Sequence, residues 1–397
     1  MSHPFDIYSA QILSFKLEGQ KQHNDNTVNC DTEKVVQRNI QLAEQSGADS
    51  IILFGAGDGK LAKALAKSKP TWMELIICDL YPENILKIRK DNFTSDPLNS
   101  NTHLLVDSSI WAVLLLLIQY GFTATKSRLI LNPCIEGESK KKHQSLQKLF
   151  SSHKNIQIPD TQDSNIKISA AAIVSPDEPD LDSFISSFPS WIYELVLVWD
   201  CNDYSKIPVI PCESGIKIVN ICNPLNNNFG AQRNIMLEHC HGDWVLYLDA
   251  DERLAINDWD LLKRIASYDK CDGWHFPRLT FYPDKDHCRI GFGLWPDLQL
   301  RFFRNSPKIK FINNIHEQII GLKGYTGIIA GSPISHLTHL IKNRDEIESK
   351  LANFNNATSG MIKHKLNSEL PTLASELLKP QKDIPLLPII LPSISYR

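Results

Sequence analysis

The sequence predicts an α/β protein built from two tandem domains. Predicted strands alternate with predicted helices twice along the chain, and a polar stretch separates the two series. Such alternation is typical of parallel sheets joined by right-handed crossovers. At 397 residues the chain also exceeds the size at which one hydrophobic core usually stops growing. Its hydrophobic fraction of 42% is enough to fill two cores.

In the first series the elements are predicted from apolar periodicity and turn residues. They are a helix over 35–45, a strand over 50–54, a helix over 61–67, a strand over 74–79, a helix over 83–92 and a later strand over 129–131. The apolar run 110–118 is shorter than the roughly 20 residues that a membrane span needs. We therefore expect it to be a buried helix or strand in a Rossmann-like domain.

The second series begins after a polar stretch that contains Pro159. It consists of a strand over 168–174, a helix over 181–188, strands over 194–199 and 216–221, a helix over 231–240 and a strand over 244–248. A further helix is predicted over 345–354. The apolar stretch 385–392 is broken by prolines, so it is expected to be an extended arm or disordered rather than a helix.

The predicted domain boundaries follow these changes in composition. The start of the chain is polar and weakly patterned, so a loosely held leader is expected there. The predicted segments are a polar leader over 1–30, a Rossmann-like domain over 31–150, a linker over 151–165, a second α/β domain over 166–350, and a helical, then proline-rich tail over 351–397.

Composition argues against several classes of partner and compartment. The 42 Lys and Arg residues against 45 Asp and Glu give a net charge of -3, so nucleic acid is not expected to bind. The nine cysteines lack Cys-x-x-Cys spacing, and no signal-peptide pattern opens the chain. These features indicate reduced thiols in a cytoplasmic protein, without a transmembrane segment. Peripheral contact with the inner face of a membrane stays open.

Asp249 and Asp251 end the apolar run 244–248 and are the first candidate site residues. If the segment were extended, both carboxylates would lie on one side, roughly 7 Å apart. Oxygen ligands of this kind suit Mg²⁺ or Mn²⁺ holding a diphosphate. Arg233 falls near the start of a predicted helix capped by Asn227 or Asn228, where an anion is favoured. A surface salt bridge is the alternative for Arg233.

The second domain resembles the family 2 glycosyltransferases of the GT-A fold, and is closest to bacterial enzymes of lipopolysaccharide-core and cell-surface glycan synthesis. Ordered blocks over roughly 166–350 carry the resemblance. They are Asn228-Phe229-Gly230-Ala231-Gln232-Arg233-Asn234, Gly242-Asp243-Trp244, Asp249-Ala250-Asp251-Glu252, Trp295-Pro296-Asp297-Leu298-Gln299-Leu300-Arg301-Phe302-Phe303-Arg304 and Ile315-His316-Glu317.

The resemblance implies a nucleotide-sugar donor, with a UDP-linked sugar favoured, and Mg²⁺ or Mn²⁺ as cofactor. Asp251 would coordinate the cation directly, and Asp249 would face the ribose or metal-bound water. A late histidine, His316 or His336, would complete the metal site, although either could be structural. Asp200, at the carboxyl end of the strand over 194–199, would bind the uracil ring, or it could cap the following turn.

Inverting transfer needs a base that takes the proton of the acceptor hydroxyl. Glu317 is our candidate, with Asp297 as the rival. The alternative for Glu317 is a structural ion pair with Arg301 or Arg304. The sequence departs from its relatives after the first strand of the domain, at 174–178, and after Asp200, at 201–204, so nucleotide specificity is the least determined property.

Three alternating glycines, Gly55, Gly57 and Gly59, lie between a strand and a helix in the first domain. This spacing lets the backbone approach a cofactor at a helix N-terminus, and Asp79 ends the next strand, where an acid would bind ribose hydroxyls. The pattern resembles a class I methyltransferase and implies S-adenosylmethionine as a cofactor. A Rossmann-like module kept for packing or partner docking is the favoured alternative.

The sequence therefore predicts an inverting glycosyltransferase that transfers a sugar to a glycan or lipid-linked acceptor. Two further hypotheses stay open. One is an S-adenosylmethionine-dependent methyltransferase with a degenerate sugar domain, and the other is a non-catalytic assembly protein. The sugar, the acceptor and the oligomeric state are not determined by any recognisable motif.

Overall fold

A computed structural model describes residues 2–15, 28, 30–90, 101–158, 165–209, 215–314, 317–343, 345–347, 370–380 and 388–390. The chain divides into two compact units. Unit 1 comprises Met1–His153, Arg289–Pro296 and Glu369–Leu386, and unit 2 comprises Lys154–Cys288, Asp297–Ser368 and Leu387–Arg397. The chain thus returns to unit 1 twice after entering unit 2, which the predicted linear order of domains did not include.

Unit 1 is built around a four-stranded parallel sheet of order β3-β2-β1-β4. Apolar strand residues such as Ile51 and Ile77 are fully buried, and helices pack against the sheet. Its elements are α1 (Pro4–Ser14), α2 (Thr32–Ser46), β1 (Ser50–Phe54), α3 (Lys60–Ser68), β2 (Glu74–Asp79), α4 (Pro82–Lys90), β3 (Thr102–Val106), α5 (Ile110–Gln119), β4 (Ser127–Leu131) and α6 (Gly137–Ser152).

The prediction of a loosely held leader is wrong for residues 4–14, which form α1. The polar residues of this helix bond to β3: Asp6 Oδ1 accepts from the Leu104 amide at 2.9 Å, and Ser9 Oγ donates to the Leu104 carbonyl at 2.7 Å. Phe5 and Ile12 are buried on the same helix. The polar composition did not predict this packed helix, because its polar side chains form hydrogen bonds to β3 rather than facing solvent.

Unit 2 is built around a nine-stranded sheet of order β5-β20-β17-β11-β14-β9-β6-β7-β8. The strands β9, β6, β7 and β8 run parallel, and β14 pairs antiparallel to β9. The first elements are β5 (Lys154–Asn155), β6 (Ile168–Val174), α7 (Leu181–Ser186), β7 (Glu194–Trp199), β8 (Ile218–Cys222), α8 (Phe229–Glu238), β9 (Trp244–Tyr247), β10 (Glu252–Arg253), α9 (Trp259–Ala266) and β11 (Cys271–Phe276).

The described residues also form smaller sheets, including one of order β10-β18-β12. The remaining elements of the chain, of which β19 belongs to unit 1, are β12 (Arg278–Thr280), β13 (His287–Arg289), β14 (Gln299–Arg304), β15 (Lys310–Ile312), β16 (Gln318–Ile320), β17 (Tyr325–Ile328), β18 (Ile334–His336), α10 (Thr338–Ile341), β19 (Thr372–Ala374) and β20 (Ile389–Ile390).

The segments predicted as linker and tail are partly structured. Residues 151–152 end α6, and β5 follows within the predicted linker. In the tail, β20 pairs with β17 and β5 at the edge of the unit 2 sheet. The helix predicted over 345–354 is helical at 345–347, and its remainder lies outside the described residues.

The cysteines correct the prediction that all nine are reduced. Cys30 pairs with Cys134 in unit 1, and Cys201 pairs with Cys222 in unit 2, as disulfides. Four further described cysteines, at positions 78, 240, 271 and 288, are buried and lie outside these two disulfides. Sequence spacing could not reveal the pairs, because each joins residues that only the fold brings together. No described helix has the length and apolar character that crossing a membrane requires.

Candidate active site

The Asp-x-Asp segment lies on a turn that follows β9. The strand ends at Tyr247, and the Glu252 amide donates to the Asp249 carbonyl at 2.8 Å, which closes the turn. The predicted strand included Leu248 and placed both carboxylates on one side of an extended segment. The turn instead gives the two carboxylates different partners.

Asp249 is held by two arginines. Its Oδ1 accepts from Arg233 Nη2 at 2.9 Å, and its Oδ2 accepts from Arg301 Nη2 at 2.7 Å. Burial alone would raise the pKa of Asp249, but the charges of Arg301 and Arg233 lower it well below its ordinary value. Asp249 therefore stays ionised, and both of its oxygens are engaged by guanidinium groups.

These pairs belong to a longer chain of alternating charges. Each of its six ion pairs measures 3.1 Å or less. Four carboxylates alternate with three guanidinium groups, so the chain carries one excess negative charge. In order, its members are Glu317, Arg233, Asp249, Arg301, Glu252, Arg278 and Asp297.

Glu252 is the central carboxylate of this chain and is fully buried. Its Oε1 accepts from Arg301 at 2.6 Å and from Arg278 at 3.1 Å. Its Oε2 accepts from the Asp249 backbone amide at 3.1 Å. Glu252 thus fixes both the turn and the arginines that hold Asp249.

Arg233 is delivered by α8, whose first turn is capped by Asn228 as predicted: Asn228 Oδ1 accepts from the Ala231 amide at 2.9 Å. The guanidinium is buried, so the alternative of a surface salt bridge does not describe it. It packs 4.8 Å from the Tyr247 ring centroid. Among the described residues its Nη1 has no hydrogen-bond partner.

Asp251 faces a different set of groups. Its Oδ2 lies 3.6 Å from His336 Nε2 and 4.0 Å from Lys342 Nζ. The other ring nitrogen of His336 is 3.1 Å from Thr280 Oγ1, which orients the imidazole. A buried carboxylate and an oriented imidazole form a donor pair that suits Mn²⁺ or Mg²⁺ completed by phosphate and water oxygens. His316 lies outside the described residues.

The two predicted bases differ in how their oxygens are used. Asp297 Oδ2 accepts from Arg278 Nε at 2.8 Å, and Oδ1 accepts from Gln299 at 2.7 Å. Glu317 Oε1 accepts from Arg233 Nε at 3.1 Å. Within the described part of the chain, the second Glu317 oxygen accepts no hydrogen bond. The predicted ion-pair partners of Glu317 were Arg301 or Arg304, and the partner is Arg233 instead.

Asp200 lies at the carboxyl end of β7, as predicted. Its Oδ1 accepts from the Leu225 amide at 2.8 Å, which ties it to the loop after β8. The Cys201–Cys222 pair joins the same two strand ends. This hydrogen bond does not cap the turn that follows Asp200, because its donor lies 25 residues away in the sequence.

In unit 1 the glycine turn is filled by the protein itself. A Cβ at Gly55 would lie 2.6 Å from Ile135 Cδ1, and one at Gly57 would lie 2.9 Å from Asn132 Nδ2. Gly59 has φ of 80° and begins α3 without a side-chain cap. The space beside Gly55 and Gly57 into which a Cβ would point is therefore taken by the side chains of Ile135 and Asn132.

Asp79 does not present its carboxylate for a ribose. Its Oδ2 accepts from the Ala56 amide at 2.7 Å and its Oδ1 from the Tyr81 amide at 2.8 Å, and the residue is fully buried. The bonded Asp79 carboxylate therefore does not fit the ribose contact of the implied cofactor.

Five site residues were not predicted to be functional: Glu252, Arg278, Arg301, Lys342 and Glu178, which forms an ion pair with Lys342. Glu252 adjoins the Asp-x-Asp segment and was visible as part of the block. Arg278 and Lys342 carry no local signal, since they come from β12 and from the end of α10. Only the pairing of β12 and β10 with β18 brings these elements together.

Part of the chain is similar to a known protein family. Residues 179–316 match the family model described as glycosyl transferase family 2. A TPR repeat-containing protein of Synechococcus elongatus is 28% identical over 153 residues, which cover 38% of this chain and 35% of that protein. The chain thus spans about a third of the length of the curated relative it matches.

Three solved structures are similar to part of the chain. TarS 1-349 of S. aureus is 12% identical, covers 51% of this chain and 67% of its own, and has a TM-score of 0.30. GalNAc-T7 with UDP, GalNAc and Mn²⁺ is 18% identical, covers 31% of this chain and 27% of its own, and has a TM-score of 0.24. Mannosyltransferase PcManGT of Pyrobaculum calidifontis with GDP-Man and Mn²⁺ is 11% identical, covers 31% of this chain and 39% of its own, and has a TM-score of 0.23.

At these TM-scores the assignment rests on the family match rather than on the structures. The chain is an α/β protein whose second unit gathers carboxylates and arginines at the ends of parallel strands. Residues 179–316, which lie in that unit apart from 289–296, match the glycosyl transferase family 2 model.

Proposed function

We propose that unit 2 is an inverting glycosyltransferase that uses a nucleotide-sugar donor, with a UDP-linked sugar favoured, and a glycan or lipid-linked acceptor. One observation carries the proposal. Asp251, which lies in the segment that matches the family 2 model, comes within 3.6 Å of His336, next to the ion-paired Asp249.

Asp251 and His336 would hold Mg²⁺ or Mn²⁺, which neutralises negative charge on the diphosphate as the sugar departs. Asp249, engaged by Arg233 and Arg301, is proposed to face the ribose side rather than to ligate the cation. Arg233 Nη1 is a buried donor without a partner among the described residues, so a phosphate oxygen would satisfy it. This supports a role for Arg233 on the phosphate side.

Glu317 is the proposed base for the acceptor hydroxyl. One of its oxygens is held by Arg233, which orients the carboxylate, and the other can take the proton. Asp297 is less suited, because Arg278 and Gln299 occupy both of its oxygens. We propose that Asp297 positions Arg278 instead.

Asp200 is the proposed contact of the nucleobase. Its Oδ1 is used by the Leu225 amide, and its second oxygen can accept from the imide N–H of uracil. A guanine also carries N–H donors, so the preference for UDP requires a direct comparison with GDP.

Ligand binding to the intact chain tests the proposal. UDP, GDP and their sugars, each with and without Mn²⁺, are added in a thermal-shift experiment. A ligand at a hundredfold excess over its Kd adds about 2.7 kcal/mol of stability. We expect UDP with Mn²⁺ to give the largest shift.

Asp251→Ala should lose the Mn²⁺-dependent part of this shift and the metal-dependent release of UDP from the donor. Asp203→Ala is the matched control, because Asp203 is an exposed aspartate of the same unit that bonds only to its own turn in the described structure. Full donor turnover by Asp251→Ala would overturn the metal role. Absence of any nucleotide binding would favour the non-catalytic assembly protein.

A further inference from the structure

Lys342 is brought to the candidate metal site by the same segment that supplies His336. Glu252 on β10 pairs with His336 on β18, and the following Leu337 amide donates to the Asp251 carbonyl at 2.8 Å. The chain then forms α10, and the Lys342 amide closes that helix on the Thr338 carbonyl at 3.0 Å. The position of Lys342 is thus fixed by backbone bonds to the Asp-x-Asp turn.

The ammonium group of Lys342 lies between two carboxylates. It forms an ion pair with Glu178, from the loop after β6, and its Nζ is 4.0 Å from Asp251 Oδ2. The Lys342 side chain is only 8% exposed. A lysine that is this buried needs compensating negative charge, and these two carboxylates provide it.

An ammonium is a compact, strongly hydrated charge, and in this respect it resembles a hard metal cation. Asp251 Oδ2 therefore has two potential cationic neighbours, the fixed Lys342 and a divalent ion held with His336. Both cannot neutralise the same oxygen fully, because like charges at such short distances repel.

We propose that Lys342 shares Asp251 with the divalent cation and is itself a diphosphate-binding residue. This inference rests on the proposed glycosyltransferase function. It implies that free Mn²⁺ binds weakly, because Lys342 competes for Asp251. It also implies that a nucleoside diphosphate binds measurably without metal, because Lys342 supplies part of the positive charge.

The test compares K342M with the wild-type chain and with K217M. Methionine keeps most of the length and volume of the lysine stem. Lys217 is the control, since it also pairs with a buried carboxylate of the same unit, Glu194 at 3.4 Å, although its own side chain is 64% exposed. K342Q is a second variant that retains a hydrogen-bonding group beside Glu178, in case K342M does not fold.

Two affinities are measured without any turnover. Free Mn²⁺ in the absence of nucleotide is followed by electron paramagnetic resonance, and we expect K342M to bind Mn²⁺ about five- to tenfold more tightly, the effect of removing one nearby like charge. UDP binding in EDTA is measured by calorimetry, and we expect K342M to weaken it at least about fivefold. K217M should leave both affinities unchanged.

An unchanged or weaker Mn²⁺ affinity in K342M overturns the inference, and so does unchanged UDP binding in EDTA. In either case wild-type binding of UDP with Mn²⁺ would leave the glycosyltransferase proposal intact. A wild-type chain that binds UDP under neither condition would contradict the glycosyltransferase proposal itself, and that result is seen before any variant is made.

Discussion

Both units place an aspartate at the carboxyl end of a parallel strand, but the partners of the two carboxylates differ in kind. Asp79 in unit 1 accepts from two backbone amides, and its side chain is 1% exposed. Asp249 in unit 2 accepts from two arginine side chains, and its side chain is 31% exposed. The same location in an α/β sheet thus supports two different uses of an acid.

The difference shows how a carboxylate that only stabilises a turn can be distinguished from one at a ligand site. Backbone amides that bond to Asp79 cannot leave without breaking the turn, so this carboxylate is committed to the fold. Arginine side chains can exchange part of their bonding with a ligand anion, because guanidinium groups carry several donors. An acid neutralised by side chains therefore keeps the capacity to respond to a ligand.

The largest expected loss of stability comes from removing the buried guanidinium of Arg301 in unit 2. Arg301→Met leaves Asp249 and Glu252 without their shared partner, and breaking such a buried pair typically costs about 3–5 kcal/mol. We expect a lower unfolding midpoint in guanidinium chloride. Hydrogen exchange should show that the loss is confined to unit 2 peptides.

Arg304→Met is the control on the same strand. Arg304 pairs with Asp272, but its side chain is 40% exposed, so its loss should cost about 1 kcal/mol or less. Equal effects of the two variants would mean that the charges around Asp249 do not hold this edge together, and the contrast with unit 1 would fail.

The elements and the location of this site could be predicted from sequence, whereas its internal pairing could not. The strands 50–54, 74–79, 168–174 and 194–199 have the predicted bounds, because apolar runs bounded by turn residues define them. The predicted extended conformation of the segment with Asp249 and Asp251 was wrong, because the Glu252 amide closes a turn there. Lys342 could not be predicted, because it lies 91 residues from Asp251 in the sequence and the pairing of β10 with β18 brings the two together.

The second expected effect is a pH dependence in unit 1. Burial raises the pKa of Asp107 to about 6, from an ordinary value of 3.8, although the Tyr8 hydroxyl donates to it at 2.6 Å. The folded state therefore binds this proton more tightly than the unfolded state. Its contribution is fully present below about pH 4 and is lost as the pH rises through about 6, with an upper limit of about 3 kcal/mol.

Asp107→Asn isolates this contribution because an amide mimics the protonated acid. The difference in unfolding free energy, variant minus wild type, should become more positive as the pH rises from 4 to 7. Taking the difference removes the opposing contribution of residues such as His275, whose pKa is lowered to about 4 by burial. A difference that stays constant with pH would show that Asp107 is ionised throughout.

A smaller loss is expected for Asp79→Asn. An amide offers one acceptor oxygen, so either the Ala56 or the Tyr81 amide loses its partner in a buried site. We expect a cost of about 2 kcal/mol, seen as faster hydrogen exchange between β1 and α3. Asp58→Asn is the control, because Asp58 is a partly exposed residue of the same turn that pairs with Lys60. Micromolar binding of S-adenosylmethionine that Gly57→Val abolishes would instead place this turn in the class of ligand sites.

The smallest effect concerns the space inside the glycine turn. Gly55 has φ of 89°, and an added Cβ would lie 2.6 Å from Ile135 Cδ1, whereas Gly47 has φ of 66° and open space around it. Both alanine variants bear the cost of a left-handed backbone, but only Gly55→Ala must also displace a neighbour, so it should cost about 1 kcal/mol more. Urea unfolding of the two variants measures the difference. If Gly55→Ala cost no more than Gly47→Ala, Ile135 would move aside freely and the turn would have room for a ligand. The distinction between the glycine turn of unit 1, committed to the fold, and the Asp249 site of unit 2, able to respond to a ligand, would then rest on Asp79 alone.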